Sequence, residues 1–395
     1  MPRRTYEFYP NLMAAVFRII VDMTLPDSTH LRQLQKDLWL WPKSRASLMV
    51  GAGFSLNAEP LPGVTKRFPI WSQLARSMFS ELHPAQPGET AQEITARERR
   101  FSNANAVRIA SEYEAAFDKH KLNDLIRSEI PDSDYRPGKL HHLLLQLPWA
   151  DVFTTNQDTL LERTEVPGRA YQPVTKASEL TTAFAPRIVK LHGSFPSETP
   201  FIMSEEDYRT YPRKFAPFVN SVQQSLLENS IVLLGFSGDD PNFLEWTGWI
   251  RDELGGHHAP IYLVGPLSLS NPERSLLMGR GVTPIDLSPA FYDVPTPHGI
   301  HEASIEWFLQ NLEAARLPRP EKGPDFTRVS VSNSTTNLPL LEIGEVIPQP
   351  LDLAHLGQTA LTSAEVEKIM ARWQPNLWPC HPIPKGLTGI DRVLS

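Results

Sequence analysis

Four short segments carry residue types able to do chemistry, and each follows a compact apolar run. Gly51-Ala52-Gly53-Phe54-Ser55 and Gly235-Phe236-Ser237-Gly238-Asp239-Asp240-Pro241-Asn242 are glycine turns. Thr154-Thr155-Asn156-Gln157-Asp158 offers an amide and a carboxylate, and Lys190-Leu191-His192-Gly193-Ser194 offers an imidazole. Glycine lets backbone N–H groups approach a pyrophosphate with no Cβ in the way. Ser237 can donate to a phosphate or ribose oxygen, and Asp240 or Asn242 can accept from ribose hydroxyls. The ordinary pKa of an imidazole suits His192 to proton transfer near neutrality. Taken singly, each segment has a plainer reading: a strand-to-helix turn, Asx-turn chemistry, a helix cap at Asp240, a structural histidine. Together they describe a nucleotide site, because strand carboxyl ends in a doubly wound sheet point to one edge.

The elements that would position them alternate between two periodicities. Residues 46–50, 151–154, 188–191, 231–234, 261–264 and 283–287 are short apolar runs of strand length. Between them lie helical stretches, notably 204–228 and 241–254. The first opens on Ser204, a capping residue, and the second on Asp240 and Pro241, ending at Gly255-Gly256. This alternation predicts an α/β fold: a Rossmann-like, doubly wound parallel sheet covered on both faces. Residues 71, 74, 75, 78 and 79 form a helical apolar stripe, and 90–130 read as helical and charged, so a helical insert is expected over about 66–147. Residues 1–43 read as an N-terminal helical segment with a break at Pro26-Asp27-Ser28. The catalytic domain is expected over 44–317. From 318 to 395 the composition turns to prolines and short polar runs, with one good helix over 362–373. That stretch reads as a linker plus a small appendage, or as the beginning of something larger.

The totals narrow the function classes. A chain of 395 residues with 41% hydrophobic and 21% charged residues can bury a large core. A net charge of −7 gives no reason to expect broad electrostatic binding to nucleic acid. Arg97, Arg99 and Arg100 read as a solvated helix face. A single cysteine, Cys380, excludes a disulfide framework and a thiolate zinc site. The pairs His141–His142 and His257–His258 lack metal-ligand spacing and read as structural or surface features. Residues 12–23, interrupted by Arg18 and Asp22, are too short and too charged to span a bilayer, so a cytoplasmic protein without membrane association is expected.

The order Gly-Ala-Gly-x-Ser, Thr-x-Asn-x-Asp, His-Gly and Gly-x-Ser resembles the sirtuin superfamily over roughly residues 44–315. The closer likeness is to the sirtuin-like effectors of bacterial anti-phage systems, through Thr154-Thr155-Asn156-Gln157-Asp158, Lys190-Leu191-His192-Gly193-Ser194 and Gly235-Phe236-Ser237 with Asp240 and Asn242. Where deacylating sirtuins have Gly-Ile-Pro-Asp-Phe-Arg, this chain has Leu56-Asn57-Ala58-Glu59-Pro60. It also lacks their four-cysteine zinc module, so no zinc is expected.

The resemblance implies an NAD+ glycohydrolase, with NAD+ as substrate and nicotinamide with ADP-ribose or cyclic ADP-ribose as products. It implies that Asn156 orients water and a ribose hydroxyl. It puts Asp158 on the nicotinamide carboxamide or nearby ribose, and makes His192 the general base. Gly51, Ala52, Gly53 and Ser55 would cradle the pyrophosphate, and Gly235, Ser237, Asp240 and Asn242 the adenosine half, with Thr155 and Phe236 among the nucleotide contacts. It further implies a homo-oligomer and a sensor or activator partner: an ATPase or helicase-like motor, an Argonaute-like protein or a phage protein. Nucleic acid would then enter through the partner. An NAD-dependent protein deacylase and a non-catalytic NAD or ADP-ribose-binding regulator are the rival readings.

Overall fold

The computed structural model describes residues 25–197, 200–236, 240–291 and 299–316. The chain divides into two compact units, residues 1–325 and 326–395, and the described residues all belong to the first. The first expected N-terminal helix, Ser237, the helix over 362–373 and Cys380 lie outside the described residues.

Seven strands form one parallel sheet: β1 (Ala46–Val50), β4 (Val152–Thr154), β5 (Gln172–Val174), β6 (Arg187–Lys190), β7 (Ser230–Leu234), β8 (Ile261–Gly265) and β9 (Val282–Asp286). Their spatial order is β5-β6-β4-β1-β7-β8-β9. Every residue of β1, β7 and β8 is buried. Continuous apolar runs belong in a parallel sheet, where helices cover both faces. Alternation inside β1 shows the two faces. Leu48 and Val50 join a core with Leu34 and Leu38 of α1 (Ser28–Leu38) and Phe308 of α12 (Ile300–Ala314). Met49 points the other way, into a core with Tyr211 of α8 (Glu205–Lys214), Val222 of α9 (Ala216–Glu228) and Trp246 of α10 (Pro241–Leu254).

Chain direction across the sheet reverses at β1. Val50 lies in register with Thr154 of β4 on one side and with Leu234 of β7 on the other. That makes the carboxyl end of β1 the topological switch point.

The helical insert comprises α3 (Trp71–Leu82), α4 (Ala91–Asn103), α5 (Ala106–Ala116) and α6 (Lys119–Glu129). It has a core of its own, in which Leu74, Met78, Ile109 and Ile126 enclose Phe201 and Met203 from the loop after β6. The four-residue α2 (Ala52–Ser55) follows β1, and a two-stranded ladder pairs β2 (Glu59–Pro60) with β3 (Tyr135–Arg136). Helix α7 (Lys139–Gln146), expected within the insert, packs Leu140 and Leu144 into the main core instead. Helix α11 (Asn271–Gly279) links β8 to β9.

Two differences from the sequence reading have simple causes. The stretch 204–228 is two helices meeting at Phe215, because Pro217 has no N–H to give the Arg213 carbonyl. Strand β5 was not foreseen: three residues with a central proline make a weak signal. It pairs only with β6, and an edge tolerates the missing donor.

Candidate functional site

The carboxyl ends of β1, β4, β6 and β7 bring the four sequence segments to one edge. The register Val50↔Thr154↔Lys190 on one side and Val50↔Leu234 on the other makes Gly51, Thr155, Leu191 and Gly235 neighbours. Convergence at the switch point is therefore a consequence of strand pairing.

Ser55 sits at the centre of the first group. Its hydroxyl donates to Asp158 Oδ2 at 2.7 Å and accepts from Asn156 Nδ2 at 3.0 Å. All three residues are buried. Thr154 sets the loop that carries them: its Oγ1 donates to Val50 O at 2.9 Å and accepts from Asn156 N at 3.1 Å. The second Asp158 oxygen accepts from Leu160 N at 3.2 Å. Asp158, expected against the nicotinamide carboxamide, thus commits both oxygens to the protein and supports Asn156 through Ser55. Burial pushes its carboxyl above the usual carboxylate range, against the pull of Lys190 and the Ser55 hydrogen bond. Lys190, itself buried, donates to the Asp158 carbonyl and pairs with Glu162 Oε1 at 3.0 Å.

The two glycine turns pack against each other. Gly51 N donates to Leu234 O at 3.0 Å and Gly53 N to Gly235 O at 2.9 Å. A Cβ on Gly51 would lie 2.5 Å from Gly235 O. Gly235 has φ +61°, and its Cβ would lie 2.2 Å from Phe54 N. The glycines are therefore required by turn-to-turn contact, and two N–H groups expected to face a pyrophosphate bond the neighbouring turn instead.

His192 departs furthest from its expectation. It is fully buried, with Nε2 3.2 Å from Asn242 Nδ2 and no partner for Nδ1. Tyr208 and Tyr211 of α8 set their rings nearly perpendicular to it, both with centroids at 5.6 Å. Burial lowers its pKa from the ordinary histidine value, outweighing the opposite pull of Asp240 and Asp207, and so favours the neutral ring. Asn242, expected at the adenosine ribose, is 1% exposed with its amide on this ring. Asp240 caps α10 by accepting from Phe243 N at 3.1 Å, and its other oxygen accepts from the Tyr208 hydroxyl at 2.9 Å. Phe236 stacks edge-on against Phe243 at 5.3 Å.

A small cleft, partly open to solvent, lies at this edge. Ala52, Thr155, Asn156 and Gln157 line its sheet side, and Ile70 and Trp71 of the insert line the other. Ser55, Asn156 and Asp158 are brought together, with Asn156 on the cleft wall; His192 with Asp240 and Asn242 forms a second, sealed group.

Tyr208, Tyr211, Lys190 and Trp71 were missed by the sequence reading. The Ser204 cap fixes the start of α8, and the three-residue spacing of Tyr208 and Tyr211 puts both on one helix face, a signal that was there to find. His141 is structural, as expected: buried, with Nδ1 accepting from Gly138 N at 3.2 Å. Among the described residues no group of three or more His, Cys, Asp or Glu could hold a metal ion, and no helix is long and apolar enough to cross a membrane.

Residues 150–285 match the family model of the SIR2-like domain. This matched span contains Asn156, Asp158, His192, Asp240 and Asn242, while the Gly51 turn precedes it. Three curated relatives bear the name NAD(+) hydrolase ThsA. The Acinetobacter baumannii protein is 26% identical over 50% of this chain and 37% of its own length. That of Enterococcus faecium is 23% identical over 56% of this chain and 43% of its own. That of Bacillus cereus is 27% identical over 26% of this chain and 22% of its own. The chain thus spans less than half the length of each. Among solved structures, a mutant Sir2 homologue in complex with ADP-ribose overlaps 73% of this chain and 99% of its own, at 13% identity and a TM-score of 0.35.

Proposed function

We propose that the SIR2-like domain is an NAD+ glycohydrolase. The observation that carries this reading is the Asn156 amide on the wall of the switch-point cleft, held there by Ser55 and through it by Asp158. The shared name of the three curated relatives supports the choice of substrate.

The bond between nicotinamide nitrogen and ribose C1′ breaks, and its electron pair stays with nicotinamide, which leaves neutral. The positive charge passes to an oxocarbenium-like ribose. Water oxygen bonds to C1′ and its proton goes to a base. The products are nicotinamide and ADP-ribose, or cyclic ADP-ribose where a ring nitrogen takes the place of water. A leaving group that already carries charge needs no strong acid. The protein's task is to orient water and ribose and to hold the developing charge. Asn156 does the orienting. His192 is the base, and the neutral ring favoured by its burial is the form that accepts a proton. By the same reading Gly51, Ala52, Gly53, Ser55 and Thr155 serve the phosphate side and Gly235, Phe236 and Asp240 the adenosine side. No zinc takes part.

The biological setting that fits is an NAD-depleting effector of anti-phage abortive infection, acting in the cytoplasm. It is a homo-oligomer held in check by a sensor or activator partner, with the catalytic domain over 44–317 and the partner contacts in residues 1–43 and 318–395. Incubating the purified chain with NAD+ and quantifying products by mass spectrometry tests the chemistry. Equimolar nicotinamide and ADP-ribose are expected. Acyl-ADP-ribose formed from an acyl-lysine peptide would make the protein a deacylase, and binding without turnover would make it a regulator.

A further inference from the structure

Asn242 is the second residue of α10, and three contacts fix where its amide points. Asp240 caps the helix through Phe243 N, Tyr208 holds Asp240 through its hydroxyl, and Asn242 Nδ2 then meets His192 Nε2 at 3.2 Å. An amide nitrogen has only hydrogens to offer, so Nε2 must supply the lone pair and the ring proton sits on Nδ1. That Nδ1 is buried and has no acceptor. The ring is held by the perpendicular rings of Tyr208 and Tyr211 and by the Asn242 amide. The charged and titratable groups facing it are Asp207, Tyr208 and Tyr211 from α8 and Asp240 at the start of α10.

We propose that Asn242 is a positioning residue for His192: its amide fixes the Nδ1–H tautomer in the substrate-free protein and gives up Nε2 to a water or ribose hydroxyl when substrate binds. This rests on reading His192 as the base. It moves Asn242 from the adenosine subsite to the base, and it makes the sealed histidine a resting state whose lone pair already faces a donor. The same lone pair serves both partners, so the tautomer needed for proton acceptance is set before substrate arrives.

The test is ring-nitrogen NMR of the full chain labelled with 15N-histidine, with His192 assigned by comparison with His192→Gln. The wild-type ring is expected as the Nδ1–H tautomer. Asn242→Asp places an acceptor at Nε2, so the ring should change tautomer or ionise, and its titration should move up by about one pH unit or more. The acid limb of NAD+ cleavage should move with it. Asn242→Leu should lower kcat about tenfold or more with KM little changed. An Nε2–H tautomer in the wild type, or an unaltered titration in Asn242→Asp, would overturn the proposal. So would an Asn242→Leu protein in which only KM for NAD+ rises while cleavage of nicotinamide mononucleotide, which lacks the adenosine half, is untouched. If the chain cleaves no NAD+, the nicotinamide reading fails by itself, and the tautomer measurement still decides the role of Asn242.

Discussion

Ser55 donates its hydroxyl hydrogen to Asp158 Oδ2 at 2.7 Å, joining the turn after β1 to the loop after β4. Because the same oxygen accepts from Asn156, one hydroxyl orients both the amide on the cleft wall and the carboxyl behind it. Ser55→Ala leaves both groups buried and short of a partner. Expected are a loss of about 1–3 kcal/mol in unfolding free energy and a fall in NAD+ cleavage. Urea denaturation beside steady-state kinetics measures the two, and unchanged kinetics would remove Ser55 from the site.

Asn156→Ala and His192→Ala test the chemistry directly. Each should lower NAD+ cleavage by about 10²-fold or more while far-UV circular dichroism shows the fold retained. Unaltered hydrolysis in both variants would sink the site assignment.

The Lys190–Glu162 pair lies beneath the Asn156 loop, with Lys190 1% exposed. Removing one partner strands a buried charge, so Lys190→Met should cost about 3–5 kcal/mol in stability. The double variant Lys190→Met, Glu162→Leu should recover much of that loss. A double-mutant cycle without coupling would show that the pair does not hold the loop.

Gly235 and Gly63 both have positive φ, at +61° and +86°, but only Gly235 meets backbone. Gly63→Ala faces open space and should cost about 1 kcal/mol. Gly235→Ala adds a clash with Phe54 N and should cost about 3 kcal/mol or more. Equal melting temperatures for the two variants would contradict the packed-turn description.

His141 sits in the core with its pKa depressed from 6.5 to about 3, chiefly by burial, then by His142 and Arg163. The unfolded chain therefore binds a proton before the folded one does. Stability from this group is complete above pH 6.5 and is lost as pH falls from there towards 3, on the order of 5 kcal/mol in full. Asp158 works the other way: its raised carboxyl pKa stabilises the fold below 3.8 and is lost as pH rises through the folded value. Between pH 7 and 5, His192 and His301, likewise lowered by burial, act in the same sense as His141, and Asp158 opposes them. His141→Gln, which keeps an acceptor for Gly138 N, should lose less stability over that interval in urea titrations than the wild type does.

The sequence by itself determined the sheet and the edge where the site lies. Short apolar runs such as 46–50 and 231–234 favour buried strands by their length, and residues following strands of a parallel sheet gather at one edge. It also determined the caps, since Asp240 before Pro241 and Ser204 before three acidic residues act within one helical turn. The tertiary structure decided what each polar group does there. Asn242 faces His192 across 50 residues of chain, and Ser55 faces Asp158 across 103. No local spacing encodes such pairs. The burial that holds His192 neutral likewise comes from α8 and α10 closing around it, and desolvation belongs to the packed environment, not to the residue type.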